Sequence, residues 1–151
     1  MNRLGIDYGE KRWGISFSDE LNIATPQPAI IENELEQKWS SLRRLVEERV
    51  VREFVVGYPY NMDGSAGFKA AEVDSFISEL EDRHPGIPVK RVDERLTSVT
   101  AGEGWSEKKK REERKSGKLD SKAATLILQD YLDQLLPIEN TQVDHDDWGE
   151  Y

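Results

Sequence analysis

The sequence predicts an α/β fold built around a mixed five-stranded sheet with helices on both faces. Two observations carry this prediction. Near the N-terminus, residues 12–18 alternate between large apolar and small side chains, which is typical of one arm of a β-hairpin. Further along, short apolar strands alternate with amphipathic helical segments, a pattern typical of parallel strands joined by right-handed crossovers.

The first three strands are predicted to form an antiparallel meander. Strands over residues 3–8 and 12–18 are joined by a turn at Gly9-Glu10-Lys11. A third strand is expected over residues 27–32, with an uncertain start because Pro28 lacks the amide hydrogen that a sheet uses.

Alternating helices and strands complete the predicted order. The helix over residues 33–49 begins with a capping pattern, Asn33 with Glu36, and the run at 53–58 is apolar enough for a buried parallel strand. Helical spacing predicts that the apolar face of the helix holds Leu35, Trp39, Leu42, Val46 and Val50. The remaining predicted elements are a helix over 68–83, a strand over 88–94, a helix capped by Thr97 or Ser98 and interrupted at Ser116-Gly117, and a final helix over 120–136. The inward residues of that final helix are predicted to be Ala124, Ile127, Leu128, Tyr131, Leu132 and Leu135. The order βββαβαβαα is the connectivity of the ribonuclease H-like fold.

The length and composition predict one domain, over residues 1–137, followed by an acidic tail. Hydrophobic residues make up 36% of the chain, which is low but sufficient for a core. Pro137 is expected to end the last helix, and residues 138–151 are expected to be disordered. There is no cysteine and no apolar run of membrane-spanning length, so we expect a cytoplasmic protein without a membrane partner.

The net charge of -9 argues against a nucleic-acid partner until its distribution is considered. Residues 139–151 hold five acids and no lysine or arginine, and removing them leaves 25 acids against 21 bases, or -4. Residues 108–122 hold eight bases and three acids, or +5. The local field matters more for phosphate contact than the total, although such a charge run is also typical of a solvated helix face.

Three carboxylates at the ends of predicted elements are candidates for a divalent-metal site. Asp7 ends the first strand, Glu94 ends the last strand, and Asp120 opens the final helix. The carboxyl ends of parallel strands meet at one edge of a sheet, so Asp7 and Glu94 are expected to converge there. Such a set could bind Mg²⁺ or Mn²⁺ and orient a water for attack on a phosphodiester. Asp93 competes with Glu94, because neighbouring side chains point to opposite faces of a strand.

The loop over residues 57–67 lies at the same predicted edge and is rich in glycine and hydrogen-bonding side chains. Its place between a strand and a helix suits contact with a nucleic-acid phosphate, and it equally suits a plain connector. The residues that we predict to contact nucleic acid are Lys11, Arg12, Asn61, Gly64, Ser65, Lys69, Arg95, Thr97, Lys115 and Lys118.

Four segments in order resemble the YqgF/RuvX family, also called Holliday junction resolvase-like proteins or pre-16S rRNA nucleases. They are Gly5-Ile6-Asp7-Tyr8-Gly9-Glu10-Lys11-Arg12, then Val56-Gly57-Tyr58-Pro59 with Asn61-Met62-Asp63-Gly64-Ser65-Ala66-Gly67, then Asp93-Glu94-Arg95-Leu96-Thr97-Ser98, and finally Lys118-Leu119-Asp120 with Ala123-Ala124 and residues 127–132. The resemblance implies that Asp7, Glu94 and Asp120 bind the metal. It also implies a metal-dependent endonuclease that trims the 5′ end of the small-subunit rRNA precursor.

Three alternatives stay open at this point. The same chemistry could act on branched DNA, for which a homodimer is expected because two strands must be cut symmetrically, whereas a monomer suffices for trimming RNA. The protein could also be a non-catalytic RNA-binding factor in ribosome assembly. Finally, Gly-Ile-Asp-x-Gly before a hairpin also begins actin-like ATPases and sugar kinases, which need two such domains.

Overall fold

The computed structural model describes residues 1–60, 67–93 and 106–148 of the chain. Five strands and four helices lie within these ranges. In chain order they are β1 (Arg3–Tyr8), β2 (Trp13–Ser18), β3 (Thr25–Ile30), α1 (Leu35–Arg49), β4 (Glu53–Tyr58), α2 (Gly67–Arg83), β5 (Val89–Asp93), α3 (Glu107–Ser116) and α4 (Lys118–Trp148).

The strands form a single five-stranded sheet in the order β3-β2-β1-β4-β5. β2 pairs antiparallel with both β1 and β3, whereas β4 lies parallel to both β1 and β5. The predicted mixed sheet with a central first strand is therefore confirmed. The carboxyl ends of β1, β4 and β5 open at one edge, where α/β sheets place their ligands.

Side chains alternate between the two faces of the sheet and enter two apolar layers. On one face, Leu4, Ile6 and Phe54 pack in a core with α1 and α2, to which Trp39, Leu42, Val73 and Ile77 contribute. On the other face, Val55 and Val92 pack against Ile127, Leu128 and Leu132 of α4. The prediction of helices on both faces is thus confirmed, and the buried helical residues described in the second layer all belong to α4.

Small residues let α4 lie close to the β1–β2 hairpin. A side chain at Gly5 would approach Leu128 Cβ to 2.9 Å, which is too close for carbon atoms. Beside it, the hydroxyl of Ser16 donates a hydrogen bond of 2.7 Å to the carbonyl oxygen of Ala124. The small positions that alternate along β2 are therefore the contact surface for α4.

The ends of α1 differ from the prediction. The helix begins after Glu34, which provides no side-chain cap, so the expected capping by Asn33 is wrong. Leu35 and Val50 were expected on the apolar face, but they are 56% and 54% exposed. Val50 adopts the left-handed backbone conformation (φ 50°) that ends the helix, which turns it away from the core.

The last helix is longer than predicted. It begins at Lys118 and continues to Trp148, whereas Pro137 was expected to end it. Proline removes one backbone hydrogen bond but leaves the rest of the helix intact, so a helix can pass through it at an energetic cost. The domain boundary at residue 137 stays a prediction. Within the described residues, no helix combines the length and apolar character required to cross a bilayer.

Candidate active site

Asp7 faces α4 at the carboxyl end of the central strand. Leu4 and Ile6 are fully buried against α1 and α2, so the residues that alternate with them, Gly5 and Asp7, face the other side of the sheet. Leu128 of α4 lies close to Gly5, so this other side of the sheet is the one that α4 covers. The Asp7 side chain is therefore directed to the face that α4 covers and is partly exposed at its edge.

Asp120, in the first turn of α4, lies beside Asp7 at the carboxyl end of β1, in a place that we call the corner. Asp7 pairs with Gly14 across the β1–β2 ladder, and residues opposite each other in a ladder share a face of the sheet. A Cβ atom at Gly14 would collide with the carbonyl group of Asp120 and would lie 2.9 Å from its Cβ. The structure thus brings together two of the three predicted carboxylates, from opposite ends of the sequence.

Arg12 lies beside this pair of acids. Its Nε donates a hydrogen bond of 3.0 Å to Oδ2 of Asp120, and the two side chains are 32% and 25% exposed. A partly exposed ion pair of this kind contributes about 1 kcal/mol or less to stability. Its main effect is positional, because it fixes the direction of the Asp120 carboxylate. Arg12 was predicted to contact nucleic acid. In the structure its side chain binds Asp120, which was predicted to be a metal ligand.

The third predicted carboxylate, Glu94, lies outside the described residues. Its rival Asp93 is described, and it ends β5 on the face opposite to Val92. Val92 packs against α4, whereas Arg91, on the same face as Asp93, forms an ion pair of 3.6 Å with Asp74 of α2. Asp93 therefore faces away from the corner that Asp7 and Asp120 share.

The donor set of this corner suits a hard divalent cation. No group of three potential metal-ligating side chains occurs within the part of the chain that the structure describes. Mg²⁺ does not require one, because it commonly binds through one or two protein carboxylates together with waters and substrate phosphates. The two carboxylates at the exposed edge of the sheet therefore fit the cation that the sequence predicted.

Among the predicted nucleic-acid contacts, Lys11 and Lys69 lie at the same end of the sheet. Lys11 is exposed in the turn after β1. Lys69, in the first turn of α2, donates a hydrogen bond of 3.2 Å to the carbonyl oxygen of Tyr8, and its Nζ lies 6.0 Å from the centre of the Tyr8 ring. Burial and the nearby Glu72 and Glu10 raise the pKa of the Tyr8 hydroxyl above 10.0, so it stays protonated at neutral pH.

The other predicted contacts are less well placed or lie outside the described residues. Lys118 is exposed at the start of α4, two residues before Asp120. Lys115 lies on α3, and its side chain is outside the described part of the structure. The remaining predicted contacts, all outside the described residues, are Asn61, Gly64, Ser65, Arg95 and Thr97.

The sequence reasoning missed Lys38, a lysine of α1 that is only 5% exposed. It lines a cleft of about 500 Å³ together with Glu10, Lys11, Arg12, Ile31 and Asn33. Lys38 is one residue before Trp39 and four before Leu42, two members of the predicted apolar face. This helical spacing was the available signal, because it puts position 38 at the edge of the buried arc.

Comparisons with known proteins identify the family of this chain. A family model described as RuvX, Holliday junction resolvase, matches residues 1–134. A protein of Opitutus terrae is 47% identical over 137 residues, which cover 91% of this chain and 94% of that protein. A protein of Crocosphaera subtropica is 40% identical over 89% of this chain and 94% of its own length. Both carry the description "Putative pre-16S rRNA nuclease".

Solved structures share the fold at low sequence identity. The fowlpox virus resolvase, in its complex with substrate Holliday junction DNA, superposes with a TM-score of 0.55 at 15% identity, covering 90% of this chain and 99% of that chain. Thermus thermophilus RuvC superposes with a TM-score of 0.50 at 12% identity, covering 91% and 97%. The ribonuclease H-like architecture expected from the element order is therefore confirmed. With a family model that spans the five strands and α1 to α3, the chain belongs to the RuvX family.

Proposed function

We propose that this chain is a divalent-metal-dependent endonuclease that trims the 5′ end of the 16S rRNA precursor in the cytoplasm. The observation that carries the proposal is the meeting of Asp7 and Asp120 at the exposed edge of the sheet, through the contact of Asp120 with Gly14. The descriptions of the relatives at 47% and 40% identity support RNA as the substrate. Structured RNA is then the partner, and Mg²⁺ or Mn²⁺ the cofactor.

The proposed mechanism assigns a task to each residue of the corner. Asp7 and Asp120, joined by Glu94, would hold the metal. A divalent metal in such a site lowers the pKa of a bound water and offsets the charge that develops on phosphate. Arg12 positions the Asp120 carboxylate through its 3.0 Å hydrogen bond. Lys11 and Lys69 supply positive charge for the backbone of the strand, a contact that positions the substrate without reading its bases.

Cleavage assays with point variants test the assignment of the acids. We expect Asp7→Asn and Asp120→Asn each to lower the cleavage rate of a 16S precursor RNA by at least about 100-fold in Mg²⁺ or Mn²⁺. Asp82→Asn is the matched control, because it removes one carboxylate from an exposed position on α2, remote from the corner. Full cleavage by either of the first two variants would remove that residue from the site.

A second candidate function is cleavage of branched DNA, which the family description as Holliday junction resolvase favours. Because phosphate contacts carry no sequence information, the two substrates must be compared directly. The same protein preparation is assayed in Mn²⁺ on a precursor RNA and on a four-way DNA junction. Cleavage of RNA with an inert junction supports the proposal, and the reverse result replaces it with the resolvase.

Two further observations separate the alternatives. Sedimentation in solution should show a monomer for a trimming enzyme, whereas a junction resolvase requires a dimer to cut two strands symmetrically. RNA binding without cleavage of either substrate in Mg²⁺ or Mn²⁺ would identify a non-catalytic ribosome-assembly factor instead.

A further inference from the structure

Lys38 is a lysine of α1 whose side chain is largely buried and lines the cleft. In the part of the chain that the structure describes, its ammonium group forms no ion pair and no hydrogen bond, although the residue is only 5% exposed. The ammonium nitrogen is not among the buried polar atoms that lack a partner, so the methylene stem is buried while the charged end meets solvent. The side chain lines the cleft at the start of α1, which provides the open side from which an external anion could reach it.

The cleft carries more positive than negative charge. Its lining includes Lys11, Arg12 and Lys38 but one carboxylate, Glu10. Arg12 is engaged with Asp120 at 3.0 Å. The formal charge that remains from Lys11 and Lys38 against Glu10 is +1, in a concave region of about 500 Å³. A concave positive region attracts phosphate more strongly than the same charges on a flat surface.

The cleft adjoins the corner that holds the two carboxylates. Arg12 belongs to both, because it lines the cleft and binds Asp120. Ile31 directly follows the end of β3, whose Ile30 pairs with Trp13. Lys11 and Arg12 lie in the turn between Asp7 and Gly14. The cleft is therefore at the same edge of the sheet as the candidate active site, displaced towards β3.

We propose that this cleft, which we call the Lys38 cleft, binds a backbone phosphate of the substrate strand next to the scissile phosphate. Lys38 and Lys11 supply the positive charge, and Asn33 offers a side-chain amide as a hydrogen-bond donor. The inference rests on the proposed nuclease function for the identity of the strand. Lys38 is accordingly a positioning residue that holds the strand across Asp7 and Asp120.

Glu32 offers a structural explanation that the experiment must separate. Its Oε1 accepts a hydrogen bond of 2.6 Å from Ser41, while its Oε2 is buried with no hydrogen-bond partner among the residues that the structure describes. If Lys38 served to balance Glu32, its loss would destabilise the fold. If Lys38 serves an external phosphate, replacing it by a neutral residue leaves the melting temperature in phosphate-free buffer unchanged, because its ammonium group then has no role within the fold.

The test is RNA binding without metal. A labelled RNA spanning the 5′ end of the 16S precursor is titrated with protein in EDTA at several KCl concentrations, by fluorescence anisotropy. We expect Lys38→Gln to weaken binding by roughly 5-fold or more and to reduce the slope of log K against log salt by roughly 0.7, the value for one phosphate contact on a single strand. Lys38→Arg should restore most of both. Arg44→Gln removes one charge from an exposed position of the same helix and should change neither.

Inorganic phosphate distinguishes a strand site from a free-anion site. Thermal melting is measured for wild type and Lys38→Gln with and without phosphate. A strand site predicts that added phosphate competes with RNA in wild type and stabilises it more than the variant. Stabilisation by phosphate with no effect of Lys38→Gln on RNA binding would identify a free-anion site and overturn the proposal.

The failures of the two proposals are distinguishable because binding is measured without metal. If the wild type cleaves neither substrate but Lys38→Gln still weakens RNA binding, the phosphate site in the Lys38 cleft is supported and the nuclease function is rejected. If the wild type cleaves RNA but Lys38→Gln binds RNA with normal affinity and a normal salt dependence, only the proposed phosphate site is rejected. A lower melting temperature of Lys38→Gln with normal RNA affinity assigns Lys38 to balancing Glu32.

Discussion

At the scale of single residues, the corner at the carboxyl end of β1 brings together two acids, Asp7 and Asp120, and Arg12 binds the second of them. Arg12 and Asp120, whose side chains form the hydrogen bond, are 108 residues apart in the sequence. Two carboxylates placed close together repel each other, which raises the free energy of the folded state. A divalent cation bound between the two carboxylates would offset this repulsion. We therefore expect metal binding to stabilise the folded protein.

Asp7→Asn tests this coupling. We expect its melting temperature in EDTA to be unchanged or higher than that of wild type, because one of two neighbouring carboxylates becomes neutral. Mg²⁺ or Mn²⁺ should raise the melting temperature of wild type and raise that of the variant less, since ligands stabilise the state they bind. Calorimetry with and without metal measures both effects. Equal metal-dependent stabilisation of the two proteins would place the metal elsewhere.

Gly14→Ala tests the contact that brings Asp120 to Asp7. A methyl group at position 14 meets the backbone carbonyl of Asp120, which cannot move without displacing α4 from the sheet. Overpacking of this kind costs about 1–3 kcal/mol. We expect urea denaturation to show a loss in that range, together with a lower cleavage rate.

Ser40→Ala, at an exposed position of α1, provides the control for the denaturation measurement. Its stability should stay within about 0.5 kcal/mol of wild type. A Gly14→Ala protein as stable as this control would mean that α4 lies farther from β2 than the structure shows.

At the scale of elements, the end of α2 carries a histidine whose protonation opposes folding. His84 follows α2, is buried, and packs edge-to-face on Phe54 with ring centres 5.5 Å apart. Burial lowers the pKa of His84 below its ordinary value of 6.5, and the positive charges of Arg43 and Arg83 lower it further. The folded protein therefore favours the neutral imidazole.

The pH dependence of stability follows from this shift. Above pH 6.5 the imidazole is neutral in both the folded and unfolded chains, and its protonation has no effect on stability. As the pH falls below 6.5, the unfolded chain binds the proton first, so stability is lost until the lower folded pKa is reached. We expect His84→Gln to lose less stability than wild type between pH 7.5 and pH 5.5, by urea denaturation. Parallel losses would assign the pH dependence to other groups.

The helices also show where helical spacing predicts burial correctly and where it does not. Trp39, Leu42 and Val46 are buried as the spacing in α1 predicted, whereas the terminal positions Leu35 and Val50 are exposed. The same holds for α4, where Leu132 is buried and Leu135 is 37% exposed. The ends of a helix extend past the sheet on which its middle packs. Helical spacing therefore predicts the direction in which a side chain points, but not whether another element is present to bury it.

At the scale of the whole molecule, charge is divided between an acidic C-terminal segment and the rest of the chain. Five of the 30 acids lie after residue 138, and without them the net charge changes from -9 to -4. The last residue of the apolar core that the structure describes is Leu132. Its long-range effect on a nucleic acid should be repulsive and sensitive to salt.

Truncation after Ile138 tests that effect. We expect the shortened protein to bind RNA more tightly than the full chain at 50 mM KCl, and the two affinities to converge at 500 mM KCl, where screening is strong. The melting temperature should change by less than about 3 °C, because no described core residue is removed. Weaker RNA binding by the truncated protein would show that the segment contacts the substrate.

Local patterns in the sequence determined the order and type of the elements, the mixed sheet with β1 at its centre, and the position of Asp7 at a strand end. Alternation and helical spacing are properties of neighbouring residues, so no tertiary structure is needed to read them. Only the tertiary structure decided that Asp120 meets Gly14, that Arg12 binds Asp120 and that Lys38 is buried beside them. Each of these depends on how closely a helix packs on the sheet, which distant parts of the chain determine together.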